Sequence, residues 1–320
     1  MIVIIITLQT PLLDLRLPLE LEWRRAKDMP YSMTYYPEAV VIEGKVYVGG
    51  GSGSQVNNSD ETVIVYSIEQ DEWSLLPPYQ FYWFGMTSLN NQLVLVGGTD
   101  TADERTHLLG VWSEESQKWT HPFPPMNVAR SGPAVVTYNR RWIVVAGGFD
   151  GKGSLESVEI LDVVAGKWFH GAPMPLSHKR YKLSTAVIGN MWYLIDGFGY
   201  TERVLCASLD DLIITASLSV TPTQPQDLVW NLLPTIFSLE GSTATTLHGA
   251  LIALGGGHVQ KCLYAYQPSS KSWIKAEEIP IERHQCACTI LPSGELFVVG
   301  GYARATGTSC CVDIGKPRAI

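Results

Sequence analysis

Six apolar runs without polar alternation punctuate the chain, and each ends in a glycine pair or a near match. They are Val46–Gly49 before Gly50-Gly51, Leu93–Val96 before Gly97-Gly98, Ile143–Ala146 before Gly147-Gly148, Trp192–Ile195 before Asp196-Gly197, Leu251–Leu254 before Gly255-Gly256, and Leu296–Val299 before Gly300-Gly301. A run such as Leu93-Val94-Leu95-Val96 leaves no polar face, so it predicts a short strand buried on both sides. The glycines that follow free the backbone for a bend or a close approach. The first position of each pair falls at 50, 97, 147, 196, 255 and 300, giving intervals of 47, 50, 49, 59 and 45.

A second ladder runs in phase with the first. Trp23, Trp73, Trp119, Trp168, Trp230 and Trp273 recur once per repeat, each with a proline four to seven residues later. Tyr66, Trp112, Leu161 and Tyr266 stand seven positions before four of them. The tryptophan is a large apolar plate for packing between sheets, and the proline stops its strand from pairing outward. Each repeat therefore predicts about four short strands, a sheet that cannot bury both faces alone; radial stacking solves this and leaves only short edges.

The glycine pairs, the aromatic-x6-Trp spacing and a period near 50 resemble the kelch-repeat family over residues about 20 to 313. The fold class expected is all-β, a six-bladed β-propeller with four antiparallel strands per blade. Trp23 precedes the first glycine pair, and the last pair is followed by one strand over Cys310 to Asp313. Residues 20–28 are therefore expected to supply the outer strand of the sixth blade, which is how kelch propellers close. The organisation read from this is residues 1–19 as a leader or remnant of an upstream segment, 20–313 as the propeller and 314–320 as a tail. The long stretch after Asp210, rich in Ser, Thr, Pro and Leu, accounts for the 59-residue interval and predicts a helical turn at Leu209–Ala216.

Charge and cysteine usage narrow the function classes. Lys and Arg number 23 against 31 Asp and Glu, a net charge of −8 with no basic run, which disfavours nucleic acid as partner. The apolar N-terminal run is too short to span a bilayer and lacks the basic start of a signal peptide, so a cytoplasmic protein with no membrane partner is expected. The six cysteines, Cys206, Cys262, Cys286, Cys288, Cys310 and Cys311, form no CxxC pair and read as buried thiols in strands rather than zinc ligands. No histidine lies two or four positions from another, no tyrosine precedes a histidine, and no nucleophile elbow or phosphate-cradling glycine loop is present. No cofactor, metal or catalytic residue is expected.

What the resemblance implies is a protein-interaction module, a scaffold or substrate-recognition adaptor of the kind that serves ubiquitin ligases and carries a BTB or F-box domain upstream. The alternative from the same resemblance is a catalytic or carbohydrate-active propeller of the oxidase or mutarotase type. Kelch adaptors often bind peptides at the mouth of the central channel, just before the inner strands. Aligning those strands on Ala39, Thr87, Ala134, Ala186, Ala244 and Ala287 and stepping back four positions gives Tyr35, Trp83, Arg130, Lys182, Glu240 and Arg283 as candidate partner-binding residues. Arginine and aromatics are favoured at binding hot spots, and three cations suit an acidic peptide.

The cysteine reading has a direct check. Denatured without reductant, the protein is expected to present six alkylatable thiols by mass spectrometry; one native disulfide would instead point to an oxidising compartment.

Overall fold

The computed structural model describes residues 13–14, 19–53, 63–175, 180–195, 197, 204–217, 229–234, 241–256, 261–303 and 307–318. Six four-stranded antiparallel sheets are strung along it; the first five each take their strands in chain order, with the short strand Ser52–Gly53 left outside the sheet of blade one. Blade one comprises Glu38–Ile42, Lys45–Gly49, Ile64–Ser67 and Glu72–Leu75, from the channel outward. The inner strands of blades two to six are Gly85–Leu89, Ala134–Tyr138, Ser184–Ile188, Ser242–Leu247 and Ala287–Ile290. The sixth blade is closed by the N-terminal strand Leu21–Arg25, which pairs antiparallel with Val312–Pro317, Trp23 opposite Gly315. The six-bladed propeller and its closure stand as expected; the last strand lies later in the chain than Cys310 to Asp313.

The apolar runs behave as their composition dictates. Second and third strands are buried on both faces, and their alternate side chains enter different neighbours. Val46 and Val48 pack towards blade six with Phe297 and Val299, whereas Tyr47 packs towards blade two with Leu93 and Leu95. One apolar cluster fills each of the six gaps between adjacent blades.

Among the described residues the blades share no sheet ladder, so their joints are made elsewhere. The first glycine of a pair is left-handed, with φ of 81° at Gly50, 67° at Gly97, 65° at Gly147, 71° at Gly255 and 69° at Gly300. A Cβ at Gly97 would stand 2.2 Å from the carbonyl oxygen of Arg130 in the next blade, and one at Gly255 would stand 2.4 Å from that of Arg283. The second glycine then donates its N–H across the joint: Gly98 to Arg130 O (2.9 Å), Gly148 to Arg180 O (2.9 Å), Gly256 to Arg283 O (3.3 Å) and Gly301 to Met33 O (3.0 Å). Only glycine satisfies both the left-handed turn and the close approach.

At the outer edge the tryptophans make a second joint. Four indole N–H groups donate to a backbone carbonyl beyond the outer strand of the preceding blade, that of Trp23 being without such a bond: Trp119 to Pro77 (2.9 Å), Trp168 to Pro124 (2.8 Å), Trp230 to Ala172 (3.0 Å) and Trp273 to Pro234 (2.9 Å). Trp73 closes the ring by donating to Lys27 O at 2.8 Å. Three of the ladder prolines are thus acceptors, a role the sequence reading did not include. The aromatic seven positions earlier is the cross-strand partner, Tyr66 opposite Trp73 and Tyr266 opposite Trp273, with ring centroids 5.1 and 5.6 Å apart.

Blade four departs from the pattern where its interval is long. The helix expected at Leu209–Ala216 is a nine-residue helix, Leu209–Ser217. The Ser208 hydroxyl caps it by accepting the Asp211 N–H at 3.2 Å, and Asp210 and Asp211 suit the positive end of its dipole. Its buried face, Leu209, Leu212, Ile213 and Ala216, joins the cluster between blades three and four. Asp196 and residues 218–228 lie outside the described residues.

Two arginines lock the mouth end of their blades. The Arg130 guanidinium donates to Gly147 O (2.7 Å), Ser157 O (3.2 Å), Ser157 Oγ (3.0 Å) and Glu159 Oε1 (2.6 Å). Arg283 repeats the arrangement with Gly300 O (2.6 Å), Cys311 O (3.0 Å) and Asp313 Oδ2 (2.5 Å). Breaking such a buried pair strands its partner charge, so Arg130→Ala is expected to lose about 3–5 kcal/mol in chemical denaturation. A loss below about 1 kcal/mol would show that water replaces the guanidinium.

Candidate functional site

The inner strands line the channel, and their register decides which residues reach its mouth. The residue paired with the one before the glycine pair is Glu38, Gly85, Ala134, Ser184, Thr243 and Ala287 in blades one to six. Two positions earlier stand Tyr36, Trp83, Gly132, Lys182, Gly241 and Gln285, every one left-handed, with φ of 56°, 53°, 55°, 56°, 73° and 56°. Backbone bonds join several of these equivalent positions into an arc: Gly132 N–H to Trp83 O (2.6 Å), Lys182 N–H to Gly132 O (2.7 Å) and Gln285 N–H to Gly241 O (2.6 Å).

The six candidates therefore separate. Trp83 and Lys182 are in the mouth arc. Tyr35 is its exposed neighbour, 49% accessible. Arg130 and Arg283 are a correction: both are fully buried, two positions before the mouth, and their guanidiniums are consumed by Glu159 and Asp313. Burying a charge demands such pairing, so neither side chain faces a partner. Glu240 lies outside the described residues. Alignment on the small residue is in register at Ala134 and Ala287, one late at Ala39 and Ala244, and two late at Thr87 and Ala186. Where the alignment is in register, the step of four positions passed over Gly132 and Gln285, which stand two positions back; where it is one late, the same step landed one position before Tyr36 and Gly241.

Among the described residues the mouth is aromatic around one cation. The Lys182 ammonium lies 3.8 Å from the Trp83 ring centroid, 5.2 Å from that of Tyr36 and 6.0 Å from that of Tyr181. Burial alone draws its pKa down to about 8, and the ring faces oppose that shift by favouring the charged form. Nearby, Phe149 stacks against Tyr181 at 5.2 Å and carries the Arg105 guanidinium 5.2 Å above its ring.

Below the mouth is a cavity of about 340 Å³ lined by all six inner strands, with Glu38, Ser184, Thr243 and Cys288 on its wall. Side chains bridge adjacent blades here: Glu38 Oε2 accepts the Met86 N–H at 2.6 Å and Ser184 Oγ accepts that of Ala244 at 2.7 Å. Burial lifts the Glu38 carboxyl to about 8, only partly offset by the Met86 bond. Cys206, Cys262, Cys286 and Cys288 are buried, and Cys310 and Cys311 half-buried. Burial pushes the Cys206 and Cys286 thiols up to about 11, which makes them poor nucleophiles. Among the described residues no group of three or more His, Cys, Asp or Glu side chains is placed to hold a metal ion, and no helix is long and apolar enough to cross a membrane.

A closed ring of six four-stranded blades with a lined central channel defines a six-bladed β-propeller. Residues 33–78 and 129–175, the first and third repeats, match the Kelch motif, and the same four-stranded blade is built six times. It is 25% identical over 251 residues to Kelch-like protein 35 of Mus musculus, covering 74% of this chain and 38% of that protein. It is 25% identical to Kelch-like protein 23 of Homo sapiens over 238 residues, 73% of this chain and 39% of the relative. It is 32% identical to F-box/kelch-repeat protein SKIP20 of Arabidopsis thaliana over 118 residues, 33% of this chain and 28% of the relative. The chain thus spans about two fifths or less of the length of these relatives. Among solved structures, that of YjhT superposes with a TM-score of 0.70 at 12% identity, covering 92% of this chain and 99% of that one; at that identity the likeness is one of fold.

Glu38 makes stability pH-dependent in a stated direction. Its folded pKa lies above its ordinary 4.5, so its contribution is complete below pH 4.5 and is lost as pH rises towards 8. Glu38→Gln keeps the acceptor for Met86 and does not ionise. The variant is therefore expected to gain on the native protein between pH 5 and 8.5, by roughly 1–2 kcal/mol after solvent screening of a half-buried group. Parallel melting curves across that range would refute a strained carboxyl.

Proposed function

We propose that this propeller is a protein-interaction module that takes a peptide segment of its partner at the channel mouth, on the face of the glycine pairs. The observation that carries the reading is the mouth arc. Its six left-handed positions are met by glycine in blades three and five, which costs nothing sterically, and by Tyr36, Trp83, Lys182 and Gln285 in the others. A left-handed residue with a Cβ costs about 1–2 kcal/mol. Strain of that kind clusters at ligand-binding sites, and four such side chains around one opening support this reading.

The chemistry of the opening supports a polypeptide partner. Tryptophan and tyrosine supply contact area at low entropic cost and dominate interface energies. A net charge of −8 fits a polypeptide better than a nucleic acid. With Arg130 and Arg283 buried, the case for an acidic peptide rests on Lys182 alone. The kelch-like and F-box/kelch-repeat names of the relatives fit a substrate-recognition adaptor acting in the cytoplasm, with this propeller as the receptor part. A catalytic reading draws on one observation, Glu38 and Lys182 on the wall of one cavity with both groups drawn towards about 8.

The test is a Tyr35→Ala, Trp83→Ala double variant, affinity-purified from cell extract beside the native chain. An unchanged melting temperature with loss of one or more specific partners is expected. Recovery of the same partners in the same amounts by the folded variant would place the site elsewhere.

A further inference from the structure

Lys182 belongs to blade four, yet its ammonium rests on rings from blades one and two. To get there its stem passes over blade three, where the mouth position is Gly132. A Cβ at Gly132 would stand 3.0 Å from Lys182 Cγ, so the missing side chain of blade three is the path of the lysine. The backbone bonds from Lys182 to Gly132 and from Gly132 to Trp83 fix the root of that stem. Lysine also sits here against its conformational preference, at φ 56°, where glycine serves the equivalent positions of blades three and five. The rings at its far end take part in holding the side chain across the opening.

Its far end touches the face of Trp83 at 3.8 Å, with Tyr36 at 5.2 Å and Tyr181 at 6.0 Å. Three ring faces around one ammonium are the arrangement by which alkylammonium ligands are recognised. We propose that Tyr36, Trp83 and Tyr181 form a cation cage that the chain closes with its own Lys182, and that the partner opens it by inserting an N-methylated lysine side chain in place of Lys182. This rests on the mouth being the protein-binding site and names the chemistry it reads.

The choice of occupant follows from competition. Lys182 is tethered, so an incoming cation meets it at a high effective concentration. An ordinary lysine ammonium is a compact, strongly hydrated charge and gains nothing over the resident one. Methylation spreads the charge, weakens its hydration and leaves the attraction to the ring faces intact. A methylated ammonium therefore wins the cage where an unmethylated one does not. The resident lysine acts as a filter: it sets the affinity that an intruder must exceed and keeps the rings covered otherwise.

The experiment uses the full chain and tetramethylammonium chloride, with sodium chloride at equal ionic strength as reference, read as a dissociation constant by isothermal titration calorimetry. Lys182→Gly removes the plug and places at this position the residue its counterparts already carry, so folding is preserved. Lys182→Gly is expected to bind tetramethylammonium roughly ten-fold more tightly than the native chain, the size of one desolvated cation–π contact. Adding Trp83→Leu to Lys182→Gly is expected to abolish the gain. Equal binding by native and Lys182→Gly chains, or a gain that survives Trp83→Leu, overturns the cage. If the cage fails while Tyr35→Ala, Trp83→Ala still loses its protein partners, the mouth binds by other chemistry; if the partners are also retained, the mouth is not the site.

Discussion

The blade-to-blade joint is the constraint on which the rest of this molecule depends. Among the described residues no sheet ladder crosses between the six four-stranded blades, so packed apolar gaps and small polar contacts at the two ends align neighbours. At the mouth end a left-handed glycine brings its backbone against the next blade's carbonyl, so close that a Cβ at Gly97 would stand 2.2 Å from Arg130 O. At the outer edge an indole N–H reaches a carbonyl of the preceding blade, as Trp119 reaches Pro77 at 2.9 Å. The glycine pair and the tryptophan recur together because they fasten two ends of one joint. The N-terminal strand takes part on the same terms: Trp73 donates to Lys27 and Gly301 to Met33.

Rigidity at the joints allows variation at the mouth. The carbonyl that receives the second glycine belongs to Arg130, Arg180 or Arg283 in blades three, four and six, and two residues later the chain is in the opening. The Arg130 and Arg283 side chains fold back into the blade, where Glu159 and Asp313 on third strands neutralise them. Frame and site are thus adjacent in sequence but opposite in environment. The frame positions demand particular residues, whereas the mouth positions demand only a left-handed backbone and accept Tyr, Trp, Lys, Gln or Gly. Variable side chains on an over-determined scaffold are how repeat folds host recognition.

The mouth has a single described cation seated on rings from three segments of the chain, Tyr36, Trp83 and Tyr181. Below it the cavity wall carries a carboxyl, Glu38, held near neutrality by burial. Charge at this opening is therefore metered by desolvation rather than by a surplus of one sign.

The sequence by itself determined the number of blades, the strand order, the closure by Leu21–Arg25 and the helix after Ser208. Each of these leaves a local mark: an apolar run without alternation, a glycine where a Cβ would collide, a tryptophan seven residues after its cross-strand partner, a capping serine. What only the tertiary structure decided is which residues face the channel mouth. Inner strands carry no comparable mark, because the channel accepts Glu38, Gly85 and Ser184 at equivalent positions. A strand repeats every two residues, so an alignment two positions late at Thr87 and Ala186 looks as good as the true one. That slip placed Arg130 and Arg283 in the same row as Trp83 and Lys182. Nothing local separates a buried arginine from an exposed one when its acid partner lies 29 or 30 residues further along the chain; only the fold brings Glu159 and Asp313 back to meet them.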